Sequence, residues 1–293
     1  MSCNGVTTGV VGLGEIGSGV AQGVLRAGLP LVVCDLRPEA LEPFSGRAEV
    51  AADAAALGAA VDVLVVAVVD DDQARAVLTG PAGALTTLDP GSTVVVVSTL
   101  SPAAVRELAG GAAARGVDLL DCGVSGGPVA AAHGELVAMI GGEAAAVERV
   151  RPVLDAFSCR VFHMGPAGTG LAAKLARNLV QYASWLAAYE AQVLAEAAGV
   201  PLVELGQAIA ESDKRIGGSS RLMYDTTVAP LPSDADPGLR GLLANGATLA
   251  HKDLQAALAL GAELGVALPL AQMTEARADA VFRLAPDPAR PAP

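Results

Sequence analysis

The chain has 293 residues, long enough for two domains of ordinary size. A formal charge of −12 argues against a nucleic-acid polyanion as its main partner. Hydrophobic residues make up 52% but aromatic ones only 3%, so the core has to be built from Ala, Val and Leu.

From the N-terminus to about residue 164, short apolar runs alternate with helical patterns. Strands are expected at 7–14, 29–35, 61–69, 93–99, 117–122, 136–142 and 159–165. The Val-rich runs lack polar alternation, which fits strands buried on both faces of a parallel sheet. Helices fit between them, for example at 18–28 and 101–116, the second opening with Ser101 as N-cap and Pro102 at the first helical position. Strands alternating with helices imply a doubly wound α/β domain over 1–164. From residue 165 the pattern becomes helical. One long stretch covers 168–198 and ends at Gly199, and further helices are expected at about 202–211, 239–261 and 270–283, with no convincing strand. This reads as an all-helical domain over 165–284, followed by a disordered Pro/Ala-rich tail over 285–293.

Cys3, Cys34, Cys122 and Cys159 show neither CxxC nor zinc spacing, so they are expected to be reduced thiols, with no metal site. The apolar runs at 61–69 and 93–98 are too short to span a bilayer, and the N-terminus lacks the features of a signal peptide. A cytoplasmic protein without a membrane partner is expected.

The first strand runs into GLGEIG, made of Gly12, Leu13, Gly14, Glu15, Ile16 and Gly17, and a helix follows. In that context the first glycine permits a tight turn, the second lets backbone approach a pyrophosphate, and the third allows close helix–sheet packing. The alternative is a purely structural turn. Asp35 ends the second strand, where an acid can accept hydrogen bonds from a ribose. It would repel a 2′-phosphate and so favours NAD over NADP. Arg37 could accommodate that phosphate, or else point to solvent or stack on adenine.

Residues 121–136, DCGVSGGPVAAAHGEL, bring small residues and a hydroxyl together. Ser125, Gly126 and Gly127 could hold a carboxylate, or merely reverse the chain. His133 reads as a solvent-facing helix residue. Lys174 and Asn178 stand four apart on one helix face, just after GPAGTG, and present an amine and an amide to the same spot. Desolvation would bring the lysine into a useful range for proton transfer; otherwise it is an ordinary surface lysine. Tyr182 and Trp185 read as core or subunit-interface residues, and Lys252 with Asp253 as a surface charge pair.

Taken in order, GLGEIG, STLSP (98–102), DCGVSGGPVAAAHGEL, GPAGTGLAAKLARN (165–178) and KDL (252–254) resemble the β-hydroxyacid dehydrogenase family, which includes 3-hydroxyisobutyrate dehydrogenases and tartronate semialdehyde reductases. The resemblance implies a Rossmann-like dinucleotide-binding domain joined by a long interdomain helix to an all-α domain. It implies NAD(P)-dependent interconversion of a small 3-hydroxy acid and its semialdehyde. It makes Lys174 the catalytic lysine, Asn178 its partner, and Ser125, Gly126 and Gly127 the carboxylate loop. Thr99 would stand near nicotinamide and substrate. Val68, Val69 and Gln73, after the fourth strand, and Lys252 would contact the dinucleotide. NADP-preferring members commonly carry Asn-Arg where this chain has Asp35-Leu36, which again favours NAD. A homodimer or homotetramer is expected. Three positions depart from the family pattern. Gly123 replaces a usual proline and predicts a looser substrate loop. Arg177 replaces a common asparagine. Asn245 stands where many relatives carry a pocket-lining phenylalanine, and predicts a more polar or roomier pocket. The rival readings are an imine reductase, which usually has another residue at the lysine position, and a non-catalytic dinucleotide-binding regulatory protein.

Overall fold

The computed structural model describes residues 5–218 and 227–287, in two compact units, Met1–Arg177 and Asn178–Pro293. In the first unit β1 (Thr8–Val11), β2 (Leu31–Cys34), β3 (Glu49–Val50), β4 (Val63–Val66), β5 (Thr93–Val96), β6 (Asp118–Ser125), β7 (Leu136–Gly141) and β8 (Ser158–Gly165) form one sheet. Its order is β3-β2-β1-β4-β5-β6-β7-β8. β1, β2, β4 and β5 are buried at every residue. The physical reason is visible residue by residue. Val10, Val63, Val65 and Val95 belong to the core on one face, while Val11, Leu64, Val66, Val94 and Val96 belong to the core on the other. Successive side chains alternate between two apolar layers rather than between core and water, so the strands read as unbroken valine runs. This is the Rossmann-like, doubly wound arrangement.

Along the chain the first unit carries α1 (Glu15–Arg26), α2 (Pro38–Leu41), α3 (Ala54–Gly58), α4 (Asp71–Thr79), α5 (Pro102–Ala113), α6 (Gly127–His133), α7 (Ala144–Arg149) and α8 (Arg151–Phe157). Ser101 caps α5 as expected, its Oγ accepting the Ala104 N–H at 3.1 Å. Asp53 and Asp70 do the same for α3 and α4.

Two features of the sheet differ from the sequence reading. β3 has only two residues, both exposed, and so offers no apolar run to detect. β7 runs antiparallel to β6, whereas the other neighbouring strands pair parallel. The link 126–135 explains the reversal: a parallel crossover takes about a dozen residues or more, and this link holds only α6 and a left-handed glycine, Gly134.

α9 (Thr169–Ala197) runs without a break out of the first unit and opens the second. The second unit continues with α10 (Leu202–Ile216), α11 (Pro237–Glu263), α12 (Pro269–Ala276) and α13 (Ala278–Val281), and no strand occurs among its described residues. The helix read over 270–283 is therefore two helices, divided at Arg277, and α10 extends past the expected 211. Asp236 caps α11 through the Leu239 N–H at 2.7 Å. The Glu190 carboxylate accepts the Leu270 and Ala271 N–H groups at the start of α12. Tyr182 and Trp185 are 59% and 60% exposed and meet edge to face, so they are not part of this chain's core. Within the expected tail, Asp287 accepts from Arg277 Nε at 3.1 Å, while 288–293 lie outside the described residues, as does Cys3.

Candidate active site

In open α/β sheets a ligand crevice forms beyond the carboxyl ends of the strands, where connections leave in opposite directions. Here that point lies between β1, whose chain returns through β2, and β4. A cavity of about 380 Å3 occupies it. Gly14–Gly17 bound it from the start of α1, Ala67–Val69 from the end of β4, Val97–Thr99 from β5, Val124 and Gly127 from β6 and α6, and Lys174 from α9. All of these belong to the first unit. A larger depression, about 620 Å3, lies at the opposite, amino-terminal ends of β1 and β2, and gathers none of these segments.

The glycines of GLGEIG separate by role. Gly12 has φ +85, and a Cβ there would stand 2.4 Å from the Ala67 carbonyl oxygen. A Cβ on Gly17 would stand 1.9 Å from the Gly12 oxygen. Both are required by the protein's own packing. Gly14 is different: a Cβ there would meet no atom within 4 Å, and its backbone is extended with φ −67. Nothing in the chain demands a glycine at this position, so its bareness leaves the backbone open toward the cavity. Gly14 is also the N-cap of α1, and no side chain caps it. Amide groups and the positive end of a twelve-residue helix dipole therefore bound the cavity, the setting that suits a pyrophosphate.

The surrounding loops are held by hydrogen bonds between side chains and backbone. Ser98 Oγ accepts the Val68 N–H at 2.8 Å and ties the loop after β4 to that after β5. Gln73 Oε1 accepts the Val69 N–H at 3.1 Å, so Gln73 supports the loop and does not bound the cavity itself. Asp35 Oδ2 accepts the Leu13 N–H at 2.6 Å, and Oδ1 accepts the Arg37 N–H at 2.9 Å. Arg37 does not simply point to solvent; its Nε lies 3.1 Å from Asp35 Oδ1. Burial pushes the Asp35 pKa up, but the Arg37 guanidinium and the two amides outweigh it and hold the carboxyl below its usual range.

β6 is twice the length of β5. Its residues through Asp121 pair with β5, and the remainder pairs only with β7. That extension presents Val124 to the cavity. Lys174, half-buried in the second turn of α9, donates from Nζ to the Val124 carbonyl. Burial first, and the positive charge of Arg177 second, lower the Lys174 pKa. A partly desolvated amine at a glycine-lined cavity can exchange a proton with a bound ligand.

Not every expected residue meets here. Thr99 bounds the cavity and is exposed. Of the carboxylate loop only Gly127 bounds it; Ser125 ends β6 close by. Gly126 and Gly127 both hold positive φ, 132° and 69°, so chain reversal alone already requires glycine there. Asn178, Asn245 and Lys252 belong to the second unit, Asn245 exposed on α11 and Lys252 3.3 Å from Asp253.

Gly123 overturns the expectation of a looser loop. It is buried within β6, opposite Met139, and a Cβ there would stand 2.5 Å from the Lys174 Cβ. The glycine marks a close approach of α9, not slack. Sequence reasoning also passed over Ser98 and Asp121, whose partners lie tens of residues away. Among the described residues no cluster could hold a metal ion, and no helix is long and apolar enough to cross a membrane.

Comparison with known proteins agrees with this fold. Residues 7–165 match the family described as the NAD binding domain of 6-phosphogluconate dehydrogenase. Residues 168–285 match that described as NAD-binding of NADP-dependent 3-hydroxyisobutyrate dehydrogenase. An uncharacterized oxidoreductase of Mycobacterium tuberculosis is 39% identical over 90% of this chain and 89% of its own length. The L-threonate dehydrogenase of Cupriavidus necator is 40% identical over 66% of this chain and 65% of its own. Among solved structures, 3-hydroxyisobutyrate dehydrogenase from M. tuberculosis, with L-serine, superposes with a TM-score of 0.68 at 28% identity, covering 92% of this chain and 91% of that one. An imine reductase from Myxococcus stipitatus, at 22% identity and TM-score 0.76 over 94% and 92% of the two chains, shares the fold.

Proposed function

The chain belongs to the β-hydroxyacid dehydrogenase family of NAD(P)-dependent oxidoreductases, and on that premise we propose that it interconverts a small 3-hydroxy acid and its semialdehyde, with Lys174 as general acid and base. The observation that carries this reading is that a half-buried lysine and the glycine loop bound one and the same cavity. A bound nicotinamide dinucleotide supplies the two-electron acceptor or donor. The chain's own residues do the rest. In oxidation the neutral Lys174 amine takes the substrate hydroxyl proton; in reduction its ammonium form returns it. The Val124 carbonyl steadies Nζ between turnovers. Asn178, one helical turn on, orients the hydroxyl, and Ser125, Gly126 and Gly127 take the carboxylate, with Thr99 beside them. Gly12–Gly17, Val68 and Val69 hold the dinucleotide, Gln73 bracing that loop, and Lys252 adds a further contact. Asp35 favours NAD over NADP. Asn245 makes the substrate pocket polar, which suits a hydroxylated acid of the kind named in the threonate-active relative. In this reading 1–164 and 165–284 are the two domains, 285–293 is a tail, and the enzyme works as a cytoplasmic homodimer or homotetramer.

Lys174→Ala tests the assignment. It should lower kcat by about 10²–10⁴-fold, the usual weight of acid–base catalysis, while the Kd for NAD changes by no more than about twofold. Retention of most activity refutes the role. The substrate class is read from NAD- and NADP-linked rates over glycerate, 3-hydroxyisobutyrate, 3-hydroxypropionate, threonate and 4-hydroxybutyrate. A flat response to all of them overturns the hydroxy-acid reading.

A further inference from the structure

We propose that Asp121 is a positioning residue for Lys174: its buried carboxylate clamps the first turn of α9 to β6 and so sets where the amine stands at the cavity. The inference rests on the acid–base reading of Lys174.

Asp121 has no exposed surface. A carboxylate removed from water is costly unless each oxygen finds a donor. Here the two oxygens are shared between two amides of one helix start. Oδ1 accepts the Gly168 N–H at 2.6 Å, and Oδ2 accepts the Leu171 N–H at 2.7 Å. Helices leave their first amides unpartnered, and a side chain just before the helix usually fills that need. At α9 the preceding residue is a glycine, and the acceptor comes instead from a strand 47 to 50 residues earlier. The contact is therefore tertiary, and it fixes the helix against the sheet.

Two attachment points constrain more than one. A single hydrogen bond leaves a helix free to roll about its axis; a carboxylate gripping amides three residues apart does not. Lys174 follows Leu171 by three residues, about 4.5 Å of rise on a stiff rod. The setting of Leu171 is thus passed to Lys174 directly. The acceptor of the amine, Val124, lies on the same strand as Asp121, so one piece of β6 registers both the helix and the Nζ it carries.

The steric surroundings point the same way. Gly141 lies opposite Asp121 in β7, and a Cβ there would stand 2.4 Å from Oδ1. A Cβ on Gly170 would stand 2.4 Å from the Asp121 carbonyl oxygen. Bare backbone on both sides lets α9 approach as closely as the clamp requires. Loss of the Asp121 charge alone would lower the Lys174 pKa, whereas loss of the position it enforces would admit water and raise it, so the two roles move the amine in opposite directions.

The test is Asp121→Asn in the full chain. The amide keeps the volume but accepts only one of the two N–H groups and turns its NH2 toward the other. We expect kcat to fall by about tenfold or more, with the Kd for NAD within about twofold. A second readout needs no catalysis. The chain has three lysines, Lys174, Lys214 and Lys252, so reductive 13C-methylation gives a sparse NMR spectrum in which the Lys174 amine is assigned by Lys174→Arg. With the clamp weakened, that amine gains water, and its titration midpoint should rise toward the ordinary lysine value. A lowered Tm with unchanged kcat and unchanged Lys174 titration would reduce Asp121 to a structural cap and overturn the proposal. Should the Asn variant not fold, Asp121→Glu keeps the charge and both acceptor oxygens but moves them by one methylene, and is read by the same measurements. Activity retained by Lys174→Ala would defeat the acid–base reading, yet the titration would still decide whether Asp121 sets the amine.

Discussion

Gly14 offers the sharpest separation of packing from ligand binding, because nothing in the protein occupies the space of its missing side chain. Gly14→Ala adds one methyl group to a residue whose φ of −67 any amino acid adopts. Stiffening the unfolded chain should stabilise the protein by about 0.4–1 kcal/mol. Alanine is a poorer N-cap than glycine by a comparable amount, so the net change in stability should be close to zero. The dinucleotide meets a different surface. A methyl group on the cavity side keeps a phosphate oxygen from the loop amides, and losing one charge-assisted hydrogen bond costs about 1.5–3 kcal/mol. That corresponds to a roughly 10- to 150-fold rise in Kd. Gly17→Ala is the contrasting perturbation. Its Cβ would stand 1.9 Å from a backbone oxygen and 2.9 Å from the Ala67 Cβ, neither of which can give way cheaply. Overpacking of about 1–3 kcal/mol should lower its Tm by several degrees before any ligand is added. Calorimetric titration with NAD, beside thermal unfolding without it, checks both. A Gly14→Ala protein that binds NAD like the unaltered chain, or that unfolds as early as Gly17→Ala, refutes the reasoning.

The other predictions follow from the same geometry. In Gly123→Ala the Lys174 Cβ must retreat about 1 Å to reach an ordinary carbon–carbon contact of about 3.5 Å, a displacement that should lower kcat by up to about a hundredfold; an unchanged kcat would show that the amine tolerates the shift. The pH profile of kcat should rise with pH in the oxidative direction, because the base must be neutral, and fall in the reductive one. Its midpoint should lie below the ordinary lysine range, since burial and Arg177 depress the Lys174 pKa; an oxidative rate that falls as pH rises counts against this base. In the second unit His251 lies 3.1 Å from Glu275 and 3.2 Å from Asp279, and hydrogen bonds to them, Glu275 first, raise its pKa. A raised histidine pKa gives stability that is full below its unfolded value of about 6.5 and fades as pH climbs through the folded one. On the acid side the same contact lasts until Glu275, lowered by Gln255 and then by His251, takes a proton. The Tm should therefore decline as pH rises above about 6.5, and His251→Gln should remove that part of the decline; a decline of the same size in the Gln variant counts against the pair.

Much of the fold is legible because its causes are local. Ser101 before Pro102 announces a helix start, and a valine run long enough for four buried residues announces a two-faced strand. β3 leaves no such mark, since Glu49 and Val50 are both exposed and the strand exists only by pairing with β2. The direction of β7 is absent from its own residues and present in the shortness of the link before it. Gly123 shows a further limit. A missing side chain signals slack or close contact equally well in a sequence, and only the neighbour, here Lys174, decides which.

The site divides along the same line. Residues that would touch a ligand are visible because chemistry restricts their type: bare glycines at a helix start, an amine among alanines. Residues that hold those groups in place are visible only through a conflict. Asp121 is such a case, an acid in the otherwise apolar LLDCGV of β6, at a point where both sheet neighbours exclude water. Burial of a carboxylate there demands at least two donors. In the stretch that follows, α6, α7 and α8 start without a side-chain cap, and a glycine stands directly before α9; of these helix starts it is that of α9, at GPAGTG, whose amides the Asp121 carboxylate takes. An unexplained acid and several uncapped helices do not choose a partner in the sequence; the fold does, by setting the start of α9 against Asp121, and with it the helix that carries Lys174.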